Sequence, residues 1–320
     1  MSTHIYHLTS LRRGSTPFGL APHKPVLLLA VIDGFEKGTI TGKDVFISDE
    51  LLTSFYDYWN LLVDTPHTPN FALPFYHLSS ERSGIWQLNC FPGKSVPLTK
   101  SNSIKSFKAL RETVIAAVLS DEFYYALIYP EQRKELKETL INSYFPNKAF
   151  ILHQSLVLYS EEVKKEIVYD PAENYARKVI RKFEQMPVSE REEEMILRSH
   201  IFKNAILEKY DQRCAVTGMK IAFQGNVSMV DACHIVPFAE SYDDTITNGI
   251  ALSPTFHRAF DRGLITVTDD YKVIVHSKVK DYYPQVGIQQ YHQQPLQLPS
   301  DKHFYPSIEK LALHRKRFAV

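Results

Sequence analysis

The chain has 320 residues, 44% of them hydrophobic and 23% charged, with a formal net charge of +1: an ordinary soluble globular composition, long enough for two domains, with no bulk charge to draw a polyanion. No apolar run approaches the roughly 18 to 20 residues of a membrane span, and residues 1–7 lack the basic-then-apolar pattern of a signal peptide. Three cysteines without paired spacing exclude a disulfide framework and imply a reducing compartment, with the cytoplasm as the default.

The first basic patch, at Arg12 and Arg13, leads to Pro22-His23-Lys24-Pro25. The apolar run over 26–35, stopped by Gly38, predicts a buried helix whose start carries His23 and Lys24. Backbone N–H groups at a helix start favour anions, and these two side chains can reinforce a phosphate contact there, although physics alone favours the reading that Pro22 and Pro25 merely set how the chain enters the helix. A second helix is expected over 51–62, then a polar loop over 64–70. Two short runs, 71–78 and 84–88, suit strands flanking a polar turn. Apolar spacing predicts helices over 104–119 and over 131–144, the latter preceded by Pro130 at its first turn.

Residues 147–194 are polar and of mixed charge, which predicts a linker with one helix near 175–186. Ser189 with Glu192 three residues on forms a capping-box pattern that opens a long helix through about residue 209. A β-type run then reaches His234, a Gly-containing loop holds Asn248, and a short helical stretch carries His257. A hairpin is expected from 264–267 and 273–276, and a final helix over 307–318 carries His314, Arg315, Lys316 and Arg317.

Strand, loop and helix in that order can close His234, Asn248 and His257 around one metal ion. Phosphodiester hydrolysis needs a base to activate water and a hard cation to stabilise the leaving oxygen. A neutral His234 suits the base, Asn248 suits an orienting bond or a metal contact, and His257 suits a ligand, with Asp231 the nearest carboxylate to complete the shell. In an extended strand Asp231 and Cys233 share a face and His234 takes the other; a thiol is a poor Mg²⁺ ligand. Arg258 and Arg262 are candidate phosphate contacts beside this site, with solvated or salt-bridged arginines the equal alternative.

The segment 210–276 resembles an HNH endonuclease core, the ββα-metal motif. The resemblance implies nicking of nucleic acid with a divalent metal, Mg²⁺ or Mn²⁺, with His234 as base, Asn248 as the middle residue and His257 as metal ligand. It departs from the family where Cys233 replaces the Asp or His common before the base, and in lacking the two Cys-x-x-Cys zinc pairs.

Residues 8–146 resemble the sulfur-binding domain of phosphorothioate-dependent restriction enzymes, through His23-Lys24-Pro25 before an apolar helix, Leu73-Pro74-Phe75, a Gly-x-Trp strand and paired helices ending at Tyr144. The resemblance implies that His23 and Lys24 face the modified phosphate and that Leu73, Pro74 and Phe75 wall the pocket. His77 stands where a small polar residue is more usual, and from spacing alone 73–75 read as core or strand edge.

The expected architecture is α+β: a mostly helical sulfur-binding module with a small sheet at 1–146, a helical linker at 147–188 and an HNH nuclease domain at 189–320. The expected activity is metal-dependent restriction of double-stranded phosphorothioated DNA by a homodimer, without membrane association. An HNH enzyme reading a methylated base, or a non-catalytic DNA-binding protein, are the alternatives.

Overall fold

A computed structural model of the chain describes residues 8–99, 104, 106–153, 158–221 and 228–319. They form two units: Met1–Glu162 with Met186–Leu197, and Val163–Gln185 with Arg198–Val320.

In the first unit a short hairpin of two-residue strands, β1 (Ser15–Thr16) and β2 (Gly19–Leu20), runs into α1 (His23–Lys37). From Lys24 to Phe35 every residue of α1 is buried, as the unbroken apolar run demands. Each such Leu, Val or Ile contributes about 1.5–3 kcal/mol relative to exposure. Gly38 ends the helix at φ 71°, a left-handed conformation that costs glycine nothing, and its N–H bonds to Gly34. After β3 (Asp44–Phe46), Ser48 caps α2 (Asp49–Leu62) by accepting from the Leu51 N–H.

Residues 71–78 are not a strand. They form α3 (Ala72–His77) and one further 3₁₀ turn. Phe71, Ala72, Phe75 and Leu78 are fully buried, a helical spacing, and Pro74 lies in the first turn, where a missing N–H costs little. Asn70 accepts from the Leu73 N–H at this turn.

The second run of that pair is a strand as expected, β4 (Trp86–Cys90). The helix expected over 104–119 is divided into α4 (Phe107–Arg111) and β5 (Val114–Leu119). Val-Ile-Ala-Ala-Val-Leu is short and almost wholly buried, because β5 is the central strand of an antiparallel β3-β5-β4 sheet. Ser120 then caps α5 (Asp121–Ile128), and α6 (Pro130–Tyr144) starts with its proline in the first turn.

Beyond α6 the expected 147–188 linker is not a separate body. Helix α7 (Tyr159–Tyr169) is divided between the units, and α8 (Ala172–Gln185) packs into the second through Tyr175, Val179 and Phe183. The long helix α9 (Val188–Lys209) has the expected extent; the Ser189 side chain of the capping box lies outside the described residues. Within the first unit its Glu193 accepts from the Tyr56 hydroxyl and the Phe71 N–H, both at 3.0 Å. Burial pushes this carboxyl up to about 7.

The second unit is built on antiparallel β6 (Asp231–His234) and β7 (Gly249–Leu252), joined through a segment with a short helix α10 (Phe238–Ser241) and followed by α11 (Pro254–Asp261). The expected hairpin is β8 (Ile265–Val267) and β9 (Val273–Val275), and the expected terminal helix is α12 (Ile308–Phe318). The fold is thus α+β with a strand, strand, helix motif near the carboxyl end. Among the described residues no helix is long and apolar enough to cross a membrane.

Candidate functional site

His234 closes β6 directly opposite Gly249 of β7. A Cβ at Gly249 would lie 2.2 Å from Ile206 and 2.9 Å from Phe202, so only glycine lets α9 approach the hairpin this closely. That approach puts the Phe202 ring flat against the His234 imidazole, centroids 4.1 Å apart and planes within 10°. The ring is held at one edge, where Nε2 lies 2.8 Å from Asp244 Oδ1. Asp244 is buried, and its other oxygen accepts from the Tyr175 hydroxyl at 3.3 Å; Arg198 donates to the same hydroxyl at 3.0 Å. Burial, and next the Asp244 charge, hold the Tyr175 phenol above its ordinary range, so it remains a donor. An ionised Asp244 draws the imidazole proton to Nε2 and leaves the Nδ1 lone pair as the basic site.

Asn248 has neither of its expected roles. It is fully buried, its amide donates to the Val236 and Asp243 carbonyls at 2.9 and 2.8 Å, and its oxygen accepts from the Val236 N–H at 3.0 Å. Its side-chain polar atoms are spent in closing the 236–248 loop on itself. The orienting bond comes instead from Asp244 in that loop.

Helix α11 presents His257 and, one turn on, Asp261, with Nε2 3.4 Å from Oδ2. The other ring nitrogen faces Asp231 at 4.0 Å, and Asp231 is also 3.7 Å from Lys203. Cys233 completes a group with His257 and Asp261 whose donor atoms lie within 4.8 Å of one another. Its thiol is fully buried, donates to Asp261 Oδ1 at 3.5 Å, and is held protonated by burial and then by the Asp261 charge. The nitrogen and oxygen donors fit a hard divalent cation, and the protonated thiol does not. His234, His257 and Asp261 line one cavity of about 420 Å³, together with Arg317 and Phe318. Arg258 is exposed and outside this lining, whereas Arg262 lines a neighbouring cavity. His314 is core: it stacks on Phe260 at 3.7 Å, bonds to Thr266 and the Phe260 carbonyl, and burial pulls its pKa down to about 4.

In the first unit a cavity of about 490 Å³ opens at the start of α1. Leu73, Pro74 and Ala21 give it apolar wall, and Arg12, Arg13, His23, Lys24 and His77 give it polar wall. His23 is half-buried, bonds to the Thr68 carbonyl at 3.0 Å and lies on Trp59 with ring centroids 4.6 Å apart. Burial pulls its pKa down to about 4, so it is neutral. Burial, and then the Lys24 charge, also lower His77. Lys24 is neutralised by a buried ion pair with Glu81, which also accepts from the Arg12 N–H at 3.2 Å.

Five of the six residues expected for this pocket therefore meet in one lining, and Phe75 does not. It is fully buried, packed edge-on against Trp86 at 5.0 Å and beside Phe71 at 5.5 Å, because a helix turns position 75 inward where a strand would have kept it on the wall.

Residues 214–268 match the HNH endonuclease family model HNH_2. Among solved structures, "Modification dependent TagI restriction endonuclease" is similar at 20% identity and TM-score 0.28, over 37% of this chain and 38% of that one. "Sulfur binding domain of ScoMcrA complexed with phosphorothioated DNA" is similar at 21% identity and TM-score 0.36, over 48% of this chain and 98% of that one. The intact "Type IV phosphorothioation-dependent restriction endonuclease ScoMcrA" is similar at 12% identity and TM-score 0.35, over 81% of this chain and 94% of that one. No curated protein matches. The second unit thus carries an HNH endonuclease domain.

Proposed function

We propose that the chain is a restriction endonuclease in which the first unit reads phosphorothioated double-stranded DNA and the HNH domain of the second cuts it. The observation that carries the reading is the cavity where Leu73, Pro74 and Ala21 face a cationic rim. A phosphorothioate keeps its negative charge but replaces one oxygen by a larger, softer and less hydrated sulfur. Apolar wall strips hydration from whichever atom it meets, at greater cost for oxygen than for sulfur. With Lys24 paired to Glu81 and both histidines neutral, Arg12 and Arg13 are left to meet the charge.

In the hydrolytic step His234 Nδ1 takes a proton from water, the water oxygen forms a bond to phosphorus, and the bond to the leaving oxygen breaks. Asp244 holds the ring and compensates the imidazolium that forms. His257 Nε2 and Asp261 are the residues that would hold a divalent ion, Mg²⁺ or Mn²⁺, while Asp231 faces the other ring nitrogen from outside. When bound, that ion supplies charge stabilisation at the leaving oxygen. One such site cuts one strand, so a homodimer is the economical arrangement for a double-strand break.

The test is equilibrium binding of the full-length His234→Ala chain to two duplexes identical except for one stereodefined sulfur, at fixed salt. The expected preference for sulfur is at least about tenfold, or ~1.4 kcal/mol. Equal affinities overturn the reader and direct the search to modified bases.

A further inference from the structure

Residues 262–291 of the second unit carry features that the hydrolytic centre does not use. A cavity of about 420 Å³ is lined by Arg262, His276, Lys278 and Lys280, with Phe318 among its other walls and no carboxylate in its lining. Other cations of this unit are matched by acids: Lys272 by Asp270, Lys310 by Asp243, Arg315 by Asp269 and Arg317 by Glu240. Among the described residues Arg262, Lys278 and Lys280 have no such partner, so three like charges converge on one concavity of a chain whose net charge is only +1. His276 Nδ1 accepts from the Lys278 N–H at 3.0 Å, which puts the ring proton on Nε2 as a further donor. Packing alone does not account for such a concentration, because mutual repulsion disfavours it until an anion arrives.

The next turn presents large side chains to solvent. Tyr282 is 83% exposed and Tyr283 73%, yet the backbone beneath them is tied down. Asp281 accepts from the Tyr283 and Gln289 N–H groups at 3.1 and 3.0 Å, and the Gly287 N–H bonds back to Tyr283 at 2.8 Å. A Cβ on Gly287 would lie 2.0 Å from the Asp281 carboxylate, so the turn is built around that glycine. These two outward tyrosines follow Lys278 and Lys280 closely along the chain, and tyrosine side chains contact the phosphates and sugars of a duplex backbone. Phe318 lines both this cavity and the one holding His234 and His257, and Arg262 directly follows Asp261.

We infer that this cleft binds a backbone phosphate of duplex DNA next to the one being cut, with Tyr282 and Tyr283 packing on the flanking strand. The inference rests on the nuclease reading of the second unit and is independent of sulfur recognition by the first.

The test uses the full-length His234→Ala chain, which binds without cutting, with plain and phosphorothioated duplexes over a series of salt concentrations. Lys278→Ala with Lys280→Ala is expected to reduce the slope of log affinity against log salt by about 2, near 0.9 for each phosphate that is no longer neutralised, on both duplexes. Tyr282→Ala with Tyr283→Ala is expected to weaken binding about tenfold, the loss of two hydrogen-bonding contacts to the backbone, with the slope unchanged, since no counterion is involved. An unaltered slope in the lysine pair, absence of any duplex binding by the parent, or a tyrosine pair that changes only the sedimentation mass overturns the inference; the last outcome makes the turn an interface between copies. A parent without sulfur preference overturns the reader alone, because the slopes are still read on plain DNA.

Discussion

Replacing Asp244 by Asn tests how the base is held. The carboxylate receives the His234 Nε2 proton at 2.8 Å in a buried setting and thereby keeps Nδ1 free to accept. A hydrogen bond to a charged group is worth about 1.5–3 kcal/mol, and at 1.36 kcal/mol per decade its loss predicts a rate about 10- to 150-fold lower. The amide makes the upper end more apt, because its NH₂ can donate to Nε2, move the ring proton to Nδ1 and point an N–H at the water. Asp244 is buried behind His234, so affinity for the duplex should be unchanged while the single-turnover cutting rate falls. Tyr175→Phe removes the hydroxyl that bonds to Asp244 at 3.3 Å and accepts from Arg198 at 3.0 Å; His234 itself keeps its Asp244 bond, so the cutting rate should fall only a few-fold, about 0.5–1 kcal/mol. The assay is single-turnover nicking at saturating enzyme, with melting temperatures to confirm folding. An Asp244→Asn rate within about threefold of the parent would refute the role given to this carboxylate, since even the weak end of the range exceeds it.

Three further outcomes follow from the same geometry. Asp261→Asn should weaken Mn²⁺ binding, read by calorimetry or by the spectrum of the bound ion, by at least about tenfold, whereas Cys233→Ser should leave it within about twofold; the reverse order would return Cys233 to the ligand set. Phe75→Ala should cost about 3–5 kcal/mol in chemical denaturation as a core truncation, and a fully stable variant would contradict its placement behind the wall. For Glu193, burial raises the carboxyl from 4.5 to about 7, so the folded chain holds a proton that the unfolded chain releases. Its contribution is complete below the lower value and is lost as pH rises through the upper one. Glu193→Gln should therefore gain stability on the parent between pH 5 and pH 8, by on the order of 3 kcal/mol at most, and a difference constant with pH would count against the shift.

The order of strand, loop and helix around His234, Asn248 and His257 was legible from the patterns of β6 and α11, whereas β7 lay in the stretch read as a Gly-containing loop. The carboxylates were not. Asp244 and Asp261 are two of 36 acidic residues, and only the folded loop brings the first to His234. Asp261 did leave a signal, its spacing of four from His257 on a helix, which places both on one face. Asn248 looked chemical because a buried amide that ties a loop has the same sequence as one that meets a metal. The two misread segments share another cause. The runs 71–78 and 114–119 are too short and too uniformly apolar for periodicity to separate helix from strand, so tertiary context decided: α3 buries one face, and β5 is buried from both sides by its sheet. Phe75 was placed on the pocket wall by the resemblance, whereas spacing alone allowed the core position that the helix gives it. No local pattern marks the return of 186–197 to the first unit, where Glu193 bonds to Tyr56 and Phe71 far away in sequence.

Sulfur-directed cutting is measured by the cleavage rates of the full-length chain, supplied with Mg²⁺ or Mn²⁺, on a duplex carrying one stereodefined phosphorothioate and on its oxygen-only twin. Cutting of the sulfur duplex is expected to be at least about tenfold faster, with that preference lost in Pro74→Glu, which sets a charge on the apolar wall, and the melting temperature retained. Equal rates on the two duplexes by the parent chain would contradict sulfur-directed cutting.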